Sequence, residues 1–194
     1  MILSDWEILE LQDEHQVISP FEEESLQPAT YDLHLDDKFI SSLGSRRPSE
    51  DGLVLMPHTF LLASTVERLR IPKNIAAQIK GKSSIARLGI LVECAGFVDP
   101  GFGMDSGAGS NVTLEIKELA GREARLTPGM PICQIQFFRL KGDCISGYSG
   151  HYRGMNGCGP VPSRYEDAVR VGFRKSSDQV SRWREWFKKN GGAS

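Results

Sequence analysis

Lys82, Ser83, Ser84, Arg87, Asp99 and Glu115 all fall within the single stretch Gly81 to Glu115. Hydroxyls and cations at the start of a short helix suit an anionic oxygen, because the first amides of a helix lack intrahelical partners. Ser83 and Ser84 are read as caps of such a helix, and Arg87, four residues after Ser83, shares a face with it. The GKSS run also invites a phosphate-loop reading, but the full pattern needs a glycine five residues before Gly81, and Ala76 stands there. Glu115 sits in TLEI, with Leu114 and Ile116 on the opposite strand face and Thr113 on its own. A carboxylate in a strand is costly to bury unless it is paired or used. Spacing alone leaves three readings: an edge strand with Glu115 in water, an ion pair with Arg87, or a general acid/base. Asp99, before Pro100-Gly101, is either a turn-former or a carboxylate that orients a water or a sugar hydroxyl.

These residues need elements to hold them. Ser4 and Glu7 have capping-box spacing, and Trp6, Ile8, Leu9 and Leu11 supply a short amphipathic helix ending before Gln16. Tyr31, Leu33 and Leu35 alternate with Asp32, His34 and Asp36, a half-buried strand whose polar side is expected in water. Residues 41–52 are a loop by composition. Short apolar runs follow at Leu53–Met56, Phe60–Ser64, Ile75–Ile79, Ile90–Ala95, Val112–Ile116 and Ile132–Leu140. Their turn-separated spacing is that of a sandwich or barrel, with only KSSIARL helical between them. Pro128 and Gly129 mark the turn before the last long strand. Residues 142–162, rich in Gly, Tyr and small residues, form a lid or a lining rather than a core. Ser177 opens a last helix with Val180, Trp183, Trp186 and Phe187 on one face, expected to dock on the body or on a neighbouring subunit.

A chain of 194 residues with 23 basic and 25 acidic side chains is most simply one soluble domain with a short tail. Its net charge of -2 gives no electrostatic case for binding nucleic acid or a membrane surface. MILSDWEILE is no secretory leader, and no apolar run approaches membrane-spanning length, so a cytoplasmic location is expected. Cys94, Cys133, Cys144 and Cys158 form no CxxC pair and are read as free, mostly packed thiols.

GKSSIARLGI, AGFVDPGF, VTLE, PGMPICQIQF and the distal YSGHYRG and GPVPSR, in that order, resemble the dCTP deaminase family, the deaminase branch of the dUTPase superfamily. LQPATYDLHL and PHTFLLASTVERLRIP resemble that family's N-terminal strands, so the likeness extends over residues 1–165. It implies an all-β dominated, distorted jelly-roll barrel over residues 1–170, short terminal helices, and a helical tail at 171–194. It further implies a homotrimer with each active site at a subunit interface, and replacement of the cytosine 4-amino group by water without zinc. The chain has neither the H-x-E nor the P-C-x-x-C ligand set of the zinc deaminases. By the resemblance, Ser83, Arg87 and the carbonyl of Ala95 position the water, and Glu115 moves its protons. Lys82, Ser84 and Arg87 hold the triphosphate with Mg²⁺ bridging its oxygens. Asp99 binds the deoxyribose hydroxyl, while Thr113, Leu114, Tyr148, His151 and Met155 complete the nucleotide site.

AGFVDPGF looks more like the members that continue from dUTP to dUMP. Two departures stand out: His151 and Met155 occupy positions where the family's distal motif has Lys and Gln, though Asn156 carries the amide that Met155 lacks. The FGMDSGAGSNVT loop is about half a dozen residues longer than usual, which either costs little on the surface or reshapes the pocket mouth. The competing readings are a dUTPase without deaminase activity and a nucleotide-binding trimer that has lost catalysis.

Overall fold

Alternation of apolar and polar side chains builds most of this molecule. The computed structural model describes residues 1–41, 44–46, 52–92, 95–150, 152, 154, 156–157 and 177–190. In chain order the elements are α1 (Asp5–His15), β1 (Ile18–Ser19), a 3-10 turn (Glu23–Ser25), β2 (Leu26–Gln27), β3 (Thr30–Ser41), β4 (Gly44–Arg46), β5 (Leu53–Leu55), β6 (Phe60–Leu69), β7 (Ile75–Gly81), α2 (Ser83–Ala86), β8 (Ile90–Val92), β9 (Phe97–Val98), β10 (Ser110–Glu118), β11 (Ala124–Leu126), β12 (Pro131–Arg139) and α3 (Ser177–Asn190).

The strands pair antiparallel in the order β8-β10-β6-β3-β12-β7-β9, with β1 added on β6 and β2 and β4 on β3; β5 and β11 pair separately. α2 carries the chain from β7, near one end of this order, to β8 at the other. The sheet therefore curls into a distorted jelly-roll half-barrel, the expected fold class. Tyr31, Leu33 and Leu35 of β3, Ala77 and Ile79 of β7, Leu114 and Ile116 of β10, and Ile135 and Phe137 of β12 fill its interior. Tyr31 is fully buried and stacks on Phe21, and its hydroxyl oxygen accepts the Glu22 N–H at 2.9 Å. Hydrogen bonding of the hydroxyl, to Glu22 and to the Ser25 side chain, makes a buried phenol tolerable.

Helix α1 is capped as its spacing predicts. The Ser4 hydroxyl accepts the Glu7 N–H, and the Ser4 N–H donates to Glu7 Oε2 at 3.0 Å, which holds the Glu7 carboxyl below its ordinary pKa. Ile8 and Leu11 face the core, but Trp6 is 66% exposed and takes no part in it.

Several other expectations change. β6 and β10 are longer than their apolar runs because both continue past polar residues that find partners. The loop assigned to 41–52 contains β4, which pairs with the end of β3. The polar side of β3 is not in water: Asp32 is 8% exposed and pairs with Lys82, and His34 pairs with Glu67. Cys133 and Cys144 are free thiols, and burial pushes the Cys144 thiol up; Cys94 and Cys158 lie outside the described residues. Among the described residues, no helix is long and apolar enough to cross a membrane.

Candidate functional site

Strand β10 presents two faces to different surroundings. Leu114 and Ile116 point into the barrel at 1% and 0% exposure, which turns half-buried Thr113 and Glu115 to the outer face. β10 pairs with β6 through Glu115 and with β8 from Ile116 to Glu118, so Glu115 borders the doubly paired end of the strand. Across the sheet Glu115 pairs with Leu62, and Leu62 with Ile40 of β3; Thr113 pairs with Ser64.

In α2, Lys82 rather than a serine holds the N-cap position, so the capping role expected of Ser83 and Ser84 is not met. Ser83 and Ser84 open the helix, Arg87 follows as its C-cap, and all three are exposed. The Lys82 ammonium lies 2.5 Å from Asp32 Oδ2 across the neighbouring strands, while buried Asp32 Oδ1 has no hydrogen-bond partner. Cross-strand register explains the meeting: Asp32 pairs with Gln134, and Gln134 with Lys80, which puts Asp32 and the end of β7 on one face. Alternation told which way Asp32 points but could not supply a partner on a distant strand.

The register of β8 on β10 relates α2 to Glu115. α2 leads through Gly89 to Ile90, which pairs with Glu118, and Glu115 is three residues further along β10. At the rise of a strand that is a separation of roughly 10 Å. Ala95 is exposed just before β9, beyond residues 93 and 94, which are not described.

Asp99 does form a turn: its carbonyl accepts the Phe102 N–H at 3.1 Å, and the Gly101 N–H bonds to the Ile71 carbonyl at 2.8 Å. Its residue surface is exposed, yet partial burial of the carboxyl pushes its pKa up. Tyr148 is brought to this turn. Its N–H donates to the Pro100 carbonyl at 2.7 Å, and its ring packs on Phe102 with centroids 5.5 Å apart.

The long loop after Phe102 folds back onto the end of β6 instead of standing free. Gly103 has φ +73, and a Cβ there would lie 1.9 Å from the Leu69 carbonyl oxygen, so glycine is required on both counts. From Tyr148 the distal segment runs alongside β10, where the Gly154 N–H bonds to Ser110 Oγ at 2.8 Å and the Gly157 N–H to Asn111 Oδ1 at 3.0 Å. His151 and Met155 lie outside the described residues.

Two further polar centres carry no sequence signature. Glu118 is fully buried, and its carboxylate accepts N–H groups from His58, Ala120, Gly121 and Arg122, which lower its pKa. Glu67, 2% exposed, accepts the His34 N–H at 2.9 Å and meets His34 Nδ1 at 2.6 Å. Both close turns and bends of the barrel. Among the described residues, no group of three or more His, Cys, Asp or Glu side chains converges on a metal-sized site.

A half-barrel with an outward strand carboxylate, a hydroxyl- and cation-bearing turn of helix, and a small-residue segment fastened beside them is the setting in which comparison with known proteins becomes informative. The dCTP deaminase-like family profile matches residues 2–140. A protein of Persephonella marina named "dCTP deaminase, dUMP-forming" is 33% identical over 175 residues, covering 81% of this chain and 94% of its own length. One of Coprothermobacter proteolyticus with the same name is 36% identical over 179 residues, covering 81% and 93%. The chain therefore belongs to the dCTP deaminase-like family. The crystal structure of 2'-deoxycytidine 5'-triphosphate deaminase from Agrobacterium tumefaciens superposes with a TM-score of 0.52 at 21% identity. That alignment takes in 70% of this chain and 47% of that one, and it supports the fold.

Proposed function

We propose that the protein is a dCTP deaminase that carries its product on to dUMP, working as a cytoplasmic homotrimer whose active sites span two chains. The observation that carries this reading is the outward placement of Glu115 on β10, beside Thr113 and the fastened distal segment. The family membership and the names of the relatives support the two-step outcome.

In the first step a water adds to C4 of the cytosine ring. Glu115 takes one water proton and delivers it to the ring nitrogen, where it stays, then takes the remaining hydroxyl proton and delivers it to the amino group, which leaves as ammonia while the carbonyl forms. Ser83, Arg87 and the Ala95 carbonyl hold the water, and Arg87 offsets the charge that develops as it attacks. Backbone at Thr113 and Leu114 and the ring of Tyr148 seat the base and sugar, with His151 and Met155 alongside. In the second step a water attacks the triphosphate and releases diphosphate, leaving dUMP. Asp99 suits the base for this, since burial raises its pKa toward the range in which a carboxylate accepts a proton readily.

The exposure of Ser83, Ser84 and Arg87 favours completion of each site by a second chain. So does the apolar surface around the outer face, where Phe60, Leu88 and Leu91 are each nearly half exposed. Mg²⁺ would enter on the triphosphate oxygens and neutralise part of their charge, with Lys82 and Ser84 on the same phosphates. No bound zinc is required in this scheme. Residues 1–170 would form the catalytic unit and 171–194 a helical tail.

Incubating the protein separately with dCTP and dUTP and resolving the products by chromatography tests the reading. dUMP and ammonia from dCTP are expected; dUMP from dUTP alone would leave a simple dUTPase, and no product from either would leave a binding protein. After chelation, Mg²⁺ alone should restore turnover, and a requirement for Zn²⁺ would refute the metal assignment. Sedimentation equilibrium should give three chains per particle.

A further inference from the structure

The outer face of the sheet carries a second charged element that the reading above does not use. Lys38 lies on β3, two residues before Ile40, and Ile40 pairs through Leu62 with Glu115. Asp36 and Lys38 are both half-buried while Phe39 faces the core, so Lys38 shares the face that carries Thr113 and Glu115. Two strand spacings separate β3 from β10, about 10 Å, a distance that a long side chain reaching inward shortens.

Three contacts set the direction of this lysine. Its ammonium lies 3.5 Å from Asp36 Oδ2, and Asp36 is itself fixed by the Ser64 hydroxyl, which donates to that oxygen at 2.9 Å. The same ammonium donates to Asn156 Oδ1 of the distal segment at 3.4 Å. Its aliphatic stem runs against Gly157, which has φ +89 and where a Cβ would come within 2.8 Å of Lys38 Cδ. Glycine at 157 gives the stem this room and takes the positive φ without strain. The segment is in turn tied to β10 through Asn111, whose amide also donates to the carbonyls of Thr65, Val66 and Glu67. Lys38, the distal segment and the strand of Glu115 are thus held in one frame.

Two other lysines on the polar side of the sheet are held elsewhere: Lys82 pairs with Asp32, and Lys117, opposite Phe60, donates to the His58 carbonyl at 2.6 Å in the turn organised by Glu118. Lys38 keeps 44% of its side chain exposed at the edge of the distal segment. The ammonium carries three donors, so a phosphate oxygen can join the half-buried Asp36 carboxylate and the long Asn156 contact around it.

We propose that Lys38 is a substrate-positioning residue, the cation that meets the anionic phosphate end of the nucleotide while its base lies at Glu115. The proposal rests on the deoxycytidine triphosphate reading above. It predicts selectivity for charge: a phosphate-bearing ligand needs Lys38 and a bare nucleoside does not.

The test compares Lys38→Gln and Lys38→Arg with the unaltered protein. KM and kcat are measured with dCTP, and Kd by calorimetry with dCTP and with deoxycytidine. In Lys38→Gln the KM and Kd for dCTP should rise about tenfold, the scale of one charge-assisted hydrogen bond, with a smaller change in kcat. Deoxycytidine affinity should stay put, and Lys38→Arg should recover most of the loss. Equal weakening toward dCTP and deoxycytidine would assign Lys38 to holding the segment only and overturn the proposal, as would an unchanged dCTP affinity. Failure of the unaltered protein to deaminate dCTP would sink the proposed function; the calorimetric comparison would still decide whether Lys38 reads a phosphate.

Discussion

Glu115 and Glu118 are three residues apart on one strand and have opposite fates. The odd offset puts them on opposite faces of β10. Glu118 points inward and is enclosed, its carboxylate taken up by backbone N–H groups from two turns of its own chain. Glu115 points outward, half-buried, onto a face where the distal segment is fastened and apolar side chains stay uncovered. Glu118 is therefore a structural anion, satisfied the moment the barrel closes. Glu115 stands on the side from which the proposed ligand and second chain would approach. The same contrast separates Glu67, locked to His34 in the barrel wall, from Asp99 on its exposed turn.

The sharpest way to break this contrast is at Glu115 itself. Glu115→Gln should leave the melting temperature and circular dichroism unchanged and lower deamination about a hundredfold to ten-thousandfold. Substantial ammonia release from that variant would return Glu115 to the surface-carboxylate class. Glu118→Gln should do the reverse, keeping kcat in whatever protein folds but losing stability. The sign follows from its lowered pKa: the carboxylate's contribution is fully present above its ordinary value of 4.5 and is lost as pH falls through its folded value. Melting curves of the two proteins should accordingly converge in acid and separate toward neutral pH; a gap that widens in acid contradicts the assignment.

Asp32 and Lys82 sit between the two classes, since the pair is largely enclosed yet borders α2. Removing one partner of such a pair should cost about 3 kcal/mol. A double-mutant cycle with Asp32→Asn and Lys82→Met should return favourable coupling, and additive losses would mean the pair contributes nothing. The smallest effect is expected at Ser84, exposed at the start of α2. Ser84→Ala should keep stability within about 0.5 kcal/mol and raise the dCTP KM about threefold, read from initial rates over a substrate series.

Much of the barrel was legible along the chain because buried strands advertise themselves by alternation. Tyr31, Leu33 and Leu35, and Leu114 and Ile116, point inward as their spacing predicts, and the capping box of α1 is a purely local signal. The limits of the strands were less legible: β6 and β10 run on through Thr65, Glu67, Ser110 and Asn111, polar residues with partners on other elements. Trp6 carried the size and apolarity of a core residue and lies on the surface, because its place on α1 turns it away from Ile8 and Leu11.

By itself the sequence determined which residue types stand near one another along the chain, which strand face each occupies, and, through ordered motifs, the family. Those properties depend on neighbours a few residues away. Only the tertiary structure decided that Lys82 meets Asp32, that Glu118 and Glu67 are enclosed, and that the distal segment lies along β10 beside Lys38. Each is a contact between strands remote in sequence, set by sheet order and register, and no local pattern encodes these. The stretch from Gly81 to Glu115 thus carries the candidate chemistry, and the order and register of the strands determine which of its groups face outward.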